Sequence, residues 1–392
     1  MRIRIVVMHC VLALLAWASL ARAEALSLGI PLPLTGPQAK FGEIARRSYE
    51  IAAEEINARG GVAGRQLLLH FNDSRGLPDI SRAIAEKLVT EDKQPVLLGE
   101  YSSSCSMAVA RAAGGLKVPY LVVAAAADDI TRQHNRYVYR LCPPNSCYVA
   151  GLMPFIREVV KPKTMAILYE SSDFGASGAQ NMRTSAEAAG IRIVLDEPYE
   201  AQATDLTPLL ERVKAASPDV VYMVSYVLDG ARLMRQMKDM HIRTRLFAAG
   251  AAGFALPQFI EFAGEAAQYV VTVSLWTPHL PYQGASEFAH AYRTLYGNDP
   301  SYHGAEAYAA LYVIKDVLER SASMHPDDIN AAMKATNLET AFGVVVFQDK
   351  DGYQNQNFME TYVLQILNGR HETVWPERIA SARYVFPVPS WR

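Results

Sequence analysis

Cysteine is scarce in this chain. Of four residues in 392, Cys10 lies in the apolar N-terminal stretch, and Cys105, Cys142 and Cys147 make no C-x-x-C pair and have no histidine beside them, which argues against a cysteine-based metal site. The nine histidines are scattered, and none has a metal-ligand spacing to another histidine, cysteine or carboxylate. An excess of positive charge is missing too. Against 38 Lys and Arg stand 40 Asp and Glu, which argues against a nucleic-acid surface. Past residue 20 no apolar run is long enough for a spanning helix. The motifs G-x-S-x-G, H-E-x-x-H, G-x-x-x-x-G-K-[ST] and G-x-G-x-x-G are all absent, and with them the common routes to hydrolase, metalloprotease and nucleotide chemistry. No metal or cofactor is expected, and no low-complexity tract or 20–50-residue repeat occurs.

What is present begins with an export signal. Arg2 and Arg4 precede an apolar stretch from Ile5 to Leu20, and Ala21-Arg22-Ala23 offers an A-x-A cleavage pattern before Glu24. That is the layout of a signal peptide over residues 1–23, its apolar run too short for a membrane anchor. Its removal takes the basic residues from 38 to 35 against 40 acidic ones, so the mature protein is acidic and free in solution. An oxidising compartment permits one disulfide. Cys142 and Cys147 are a candidate pair, and Cys105 with either is another. A mature chain of about 370 residues exceeds one core and predicts two domains.

Apolar, β-branched runs alternate with amphipathic stretches. Strands are expected at 26–32, 66–71, 95–99, 118–124, 164–169, 191–198, 219–225, 245–249 and 269–275. Helices are expected at 43–58, 79–90, 175–189, 206–215 and 230–240 between them. This alternation predicts an α/β protein with parallel sheets covered on both faces. After Trp276 the rhythm changes to two successive helices, 286–296 and 304–320. A strand at 343–348, a turn at Asp349-Lys350-Asp351-Gly352 and a last strand at 361–367 follow. That turn has Tyr353 where a calcium loop needs an oxygen ligand, so it reads as a hairpin.

One stretch carries most of the functional interest. In "GEYSSSC", Gly99 to Cys105, an apolar strand hands over to a helix through three serines. Ligands of parallel α/β sheets bind at the carboxyl ends of strands. A helix start made of hydroxyl residues presents O–H and unpaired N–H groups to an anion. The same turn could carry a nucleophile at Ser103, but Tyr101 and Cys105 flank it where a hydrolase elbow needs small residues. An exported serine hydrolase is therefore the weaker expectation.

Several stretches taken together extend this picture. "IPLPLTGPQAKFGEIARRSYEIAAEEINARGGVAGRQL" (30–67), "VLLGEYSSSCSMAVA", "KVPYLVVAAAADDIT", "AILYESSDFGASGAQ", "PDVVYMVSY", "FGVVVFQDKDGYQNQN" and the terminal "YVFPVPSW" follow in that order. They resemble the leucine/isoleucine/valine-type periplasmic binding proteins, the type I solute receptors of ABC transporters, over essentially the whole mature chain. The resemblance implies two Rossmann-like parallel-sheet lobes joined by three hinge strands, closing over a ligand. It implies one lobe from 24–144 and 274–350, and a second from 145–273 and 351–392. It also implies a periplasmic receptor that delivers a small molecule to an ABC permease in the inner membrane, with a monomer as the default for a receptor that must open and shut. A sensor presenting an amide or aromatic acid to a regulator is the alternative use of the same fold.

Carried over position by position, the resemblance puts the carboxylate-binding serine at Ser103, with Ser102 and Ser104 beside it. The Ala124 carbonyl takes the place of the amine acceptor. Ala126 stands where the family has a hydroxyl. Phe41 and Phe174 replace aromatic wall residues, and Tyr226 matches the tyrosine after a second-lobe strand. Tyr101 and Trp276 add candidate aromatic faces. The family's amine-pairing acid falls at or beside Ala251, in "FAAGAAGF", which contains no acid. A buried ammonium without a counter-charge costs several kcal/mol, against about −8 kcal/mol for all of a micromolar affinity. The expected ligand is therefore a hydrophobic amino acid only if another acid such as Glu100 substitutes. Otherwise it is an apolar or aromatic carboxylate.

Overall fold

The computed structural model describes residues 24–389 and 391; the expected signal peptide lies outside the described residues. Strand Leu26–Leu32 pairs in parallel with Leu67–Asp73. Helix Ala39–Ala58 connects them and buries Phe41, Ile44, Tyr49, Ile51 and Ile56 along one stripe. Beside them lies a five-stranded sheet in the spatial order Gln348–Lys350, Tyr353–Gln356, Val138–Arg140, Tyr120–Val122, Leu97–Gly99. Gln94 joins the two ladders. Its side-chain amide accepts from the Gly29 N–H at 2.6 Å and donates to the Gly29 and Val96 carbonyls at 3.1 and 2.7 Å. A side chain thus satisfies buried backbone groups where no neighbouring strand does.

The second sheet has seven strands, ordered Arg370–Trp375, Tyr362–Leu367, Val271–Ser274, Leu246–Ala249, Val220–Val224, Thr164–Glu170, Arg192–Tyr199. The last five are mutually parallel, and the first two form an antiparallel hairpin added at Val271–Ser274. Val220–Val224, Leu246–Ala249 and Val271–Ser274 are buried at every position. Their sequences, apolar except for Thr272 and Ser274, suit central strands covered on both faces.

The chain passes between the two sheets three times: after Arg140, after Ser274 and after Gln356. The first and third crossings are tied together by amides. Gln356 Nε2 donates to the Cys142 carbonyl at 2.8 Å, and Asn357 Nδ2 donates to the Leu141 carbonyl at 2.9 Å.

Three expectations need correction. Strand Tyr353–Gln356 pairs with Val138–Arg140 in the first sheet, so the chain leaves that sheet after Gln356 and not at 350. Strand 362–367 is not the last, because Arg370–Trp375 turns back on it. No disulfide joins Cys142 and Cys147, and Cys105 is a free thiol as well. Cys142 Sγ instead donates to the Ala125 carbonyl at 3.3 Å. The turn at 349–352 is the hairpin its sequence suggests, with Asp351 and Gly352 both at positive φ (53° and 80°) as a two-residue primed turn demands.

Candidate functional site

The Ser102–Ser104 bend sits at the carboxyl end of Leu97–Gly99, where that strand hands over to helix Ser103–Leu116. The handover needs Gly99, whose φ of 115° lies in the left-handed region. A Cβ there would also come within 2.8 Å of the Pro31 carbonyl oxygen. Ser102 is the N-cap, its hydroxyl accepting from the Cys105 N–H at 3.3 Å. Ser103 Oγ accepts from the Ala127 N–H at 3.1 Å, which leaves its own O–H to donate. Ser104 is half-buried in the first turn. No imidazole or carboxylate bonds to Ser103 among the described residues, so the nucleophile arrangement is not built.

The loop opposite is held by a buried cation. Arg140 donates through Nη1 to the Ala125 and Ala127 carbonyls at 3.3 and 2.5 Å, through Nη2 to Thr131 Oγ1 at 2.9 Å and through Nε to Gln356 Oε1 at 2.6 Å. The Ala126 carbonyl accepts from the Asn145 N–H at 2.8 Å. Ala125, Ala126 and Ala127 thus spend their carbonyls inside the protein. The Ala124 carbonyl takes no hydrogen bond among the described residues, and Ala126 offers none of the lost hydroxyl chemistry.

Over the bend lies an aromatic cluster drawn from both lobes. Phe41 stacks on Tyr101, with centroids 4.0 Å apart. Phe174 stacks on Tyr226 at 5.3 Å. Tyr226 closes the seam, lying 5.6 Å from Tyr101 and 6.2 Å from Phe41. Its hydroxyl lies beside the Ser103 backbone N–H, placing a second-lobe oxygen at the helix start. Phe41, Phe174 and Tyr226 each fall in the first turn or at the N-cap of a helix, the end that faces the seam.

Trp276 does not join them. It packs on Phe288, and its indole N–H donates to the Ala341 carbonyl at 2.7 Å, inside the first lobe. Ala251 is buried at the seam without an acid, and the next residue, Ala252, donates its N–H to the Tyr302 hydroxyl across the lobes at 2.7 Å.

Acids are nonetheless close by. Glu100 is not free to substitute for the missing one, since its oxygens accept from Ser81 Oγ at 3.0 Å and from the Tyr101 N–H at 2.9 Å. Glu170, at the end of strand Thr164–Glu170, accepts from Ser172 Oγ at 2.6 Å and lies beside the Tyr226 backbone N–H. Burial pushes its carboxyl up to about 7. On the first-lobe side His303 sets its ring edge-on to Phe41 (5.1 Å) and Tyr101 (5.3 Å). Its Nδ1 lies 3.2 Å from Glu306 Oε2.

Burial lowers the imidazole to about 3 and raises the Glu306 carboxyl well above the ordinary range. Burial thus disfavours the charged form of both partners. Sequence reasoning missed Glu170, His303 and Glu306. The available signals were an acid closing the apolar run "AILYE" and a His–Glu pair at i, i+3 in the otherwise apolar "YHGAEAYAAL".

Two sheet-centred lobes, crossed three times by the chain and meeting in an aromatic seam over a hydroxyl-rich helix start, define a two-lobed solute-binding protein. The chain belongs to the periplasmic binding protein family, whose model matches residues 25–370; such proteins are not enzymes. It is 29% identical to the Leu/Ile/Val-binding protein homolog 7 of Brucella suis, over 96% of this chain and 98% of that protein. Among solved structures it resembles the branched-chain amino acid transporter substrate-binding protein LivJ from Streptococcus pneumoniae in complex with isoleucine. The TM-score is 0.81 at 22% identity, covering 93% of this chain and 100% of that one. It also resembles a solute-binding protein of an ABC transporter from Rhodopseudomonas palustris BisB5 in complex with 3,4-dihydroxybenzoic acid. There the TM-score is 0.78 at 21% identity, covering 90% of this chain and 96% of that one.

Proposed function

We propose that this protein is the exported, monomeric substrate-binding component of an ABC importer, and that it holds a hydrophobic amino acid or a related aromatic carboxylate between its lobes. Residues 1–23 direct export, and an inner-membrane permease reads the closed form. One observation carries the reading: Phe41 and Tyr101 from one lobe and Phe174 and Tyr226 from the other meet over the Ser102–Ser104 helix start. A carboxylate receives hydroxyl and backbone N–H groups there without a paired cation, while its apolar body is covered by ring faces. The named homologues support both ligand classes. The lack of an acid at Ala251 favours the carboxylate without an amine. Glu170 favours the amino acid, because an ammonium beside it would draw its carboxyl into the charged form.

Titration calorimetry of the purified protein with leucine and with benzoate tests this. Binding of one of the two at micromolar strength is expected, weakened at least about tenfold in Ser103→Ala by loss of a hydrogen bond to a charged group. Absence of binding by either, or an unchanged affinity in the variant, would refute the assignment. If leucine is the ligand, Glu170→Gln abolishes its binding.

A further inference from the structure

Three buried polar atoms at the seam have no hydrogen-bond partner among the described residues: the Tyr101 hydroxyl, His303 Nε2 and Glu306 Oε1. Their residues are 6%, 4% and 0% exposed. Most other buried polar groups around them are satisfied, including Arg140, Glu100, Ser102 and Ser103. Leaving such atoms unpaired in a dry, aromatic environment is costly, so their concentration in one cluster calls for a partner. They also belong together. The His303 ring meets Tyr101 edge-on at 5.3 Å and lies 3.9 Å from the Tyr302 ring, while Glu306 stands one helical turn further along.

We propose that Tyr101, His303 and Glu306 form a second polar anchor of the cleft, which pairs with a ring hydroxyl on the body of an aromatic carboxylate. This rests on the binding function proposed above and names its ligand class. With the Glu306 carboxyl donating its proton to Nδ1, the imidazole carries its own proton on Nε2, and Nε2–H is the outward donor. A hydroxyl accepts from that N–H and still has a proton to give to the Tyr101 oxygen, while Glu306, on the Nδ1 side of the ring, holds the imidazole in place. An ammonium has only donors: the Tyr101 oxygen can accept one of them, but the Nε2–H stays unpaired. A purely hydrocarbon body would leave all three atoms orphaned. The two anchors then divide the ligand between them: hydroxyl and N–H groups of the helix start at the acid end, and the Tyr101–His303–Glu306 group at the phenol end. Tyr101, two residues before Ser103, belongs to both.

The test is calorimetry with benzoate, 4-hydroxybenzoate, 3,4-dihydroxybenzoate and leucine on the wild type, His303→Phe and Tyr101→Phe. Circular dichroism checks that each variant is folded. The wild type is expected to bind a hydroxylated acid at least about tenfold more tightly than benzoate, the worth of one or two buried hydrogen bonds. In each variant that ratio falls toward one. Because Tyr101→Phe removes a single oxygen, it keeps the test open should His303→Phe not fold. Equal affinities for benzoate and both hydroxybenzoates in the wild type, or an unchanged ratio in a folded variant, would overturn the second anchor while leaving the carboxylate reading intact. Tight leucine binding with no binding of the aromatic acids would overturn it too. Failure of all four ligands would remove the functional reading itself.

Discussion

Glu170 shows how much a single carboxyl can be altered by its surroundings. It closes an apolar strand, is 1% exposed, and faces Asp229, whose charge adds to the effect of burial. Its proton is held up to about pH 7 in the folded chain, against 4.5 for the ordinary group. Between these values the folded state binds the proton and the unfolded state does not. The stability from the neutral form is complete below about pH 4.5 and is lost as pH rises through 7, in all up to about 3 kcal/mol. Denaturant unfolding of the ligand-free protein at pH 5 and pH 8 should reveal this loss, and Glu170→Gln should flatten the slope. An equally steep slope in the variant would assign it to other groups. The same scale holds the clearest misreading of the sequence. The expectation looked for the acid at or beside Ala251 or at Glu100, whereas Glu170 lies about eighty residues before Ala251 in the chain, and only strand order brings the two regions to one seam.

At the scale of elements, the functional side chains depend on where helices begin. The sequence pattern places helix starts at Gly175, Gly230 and Gly304. The helices begin earlier, at Asp173, Val227 and Tyr302. Each glycine lies inside its first turns because a Cβ would meet the Glu170 carbonyl, the Phe254 ring or Ser48 Oγ at 2.0, 2.8 and 2.9 Å. That close approach puts Phe174, Tyr226 and His303 at the helix ends that face the seam. The Ser102–Ser104 bend depends in the same way on the turn before it. Gly99→Ala should lower stability by about 1–3 kcal/mol through its left-handed φ and its crowding against Pro31. It should weaken ligand binding at the same time, since the helix start moves with the strand end. Thermal unfolding and calorimetry on one preparation would check both, and a stable variant with full affinity would contradict the dependence. Strands were more legible than helix starts because nearly continuous burial writes an apolar run into the sequence.

For the whole molecule, the contacts across the seam define a closed arrangement. The Asp128 N–H donates to Ser177 Oγ at 3.0 Å, and Asn181 Nδ2 donates to Asp128 Oδ2 at 2.9 Å. Helix Asp173–Ala188 is thereby latched to the loop that Arg140 organises. A ligand favours closure only by the difference in its contacts between closed and open forms. Small-angle scattering should therefore show the radius of gyration falling when ligand is added. Asn181→Ala should weaken ligand binding several-fold by removing a closed-state hydrogen bond, with no loss of secondary structure. A radius unchanged by saturating ligand would rule out hinge closure.

The linear order of residues determined the class of protein by itself: alternating apolar runs and amphipathic helices, no catalytic motif, and a hydroxyl-rich turn after a buried strand. These are local patterns, and the physics that produces them, burial with period two or 3.6 and capping of a helix end, acts over a few neighbours. Tertiary structure alone decided which lobe owns residues 353–356, that the three thiols stay apart, that Trp276 faces a core, and that Glu170, His303 and Glu306 gather at the seam. Those outcomes depend on strand order and on desolvation by groups distant in the chain, and no short stretch of sequence records either.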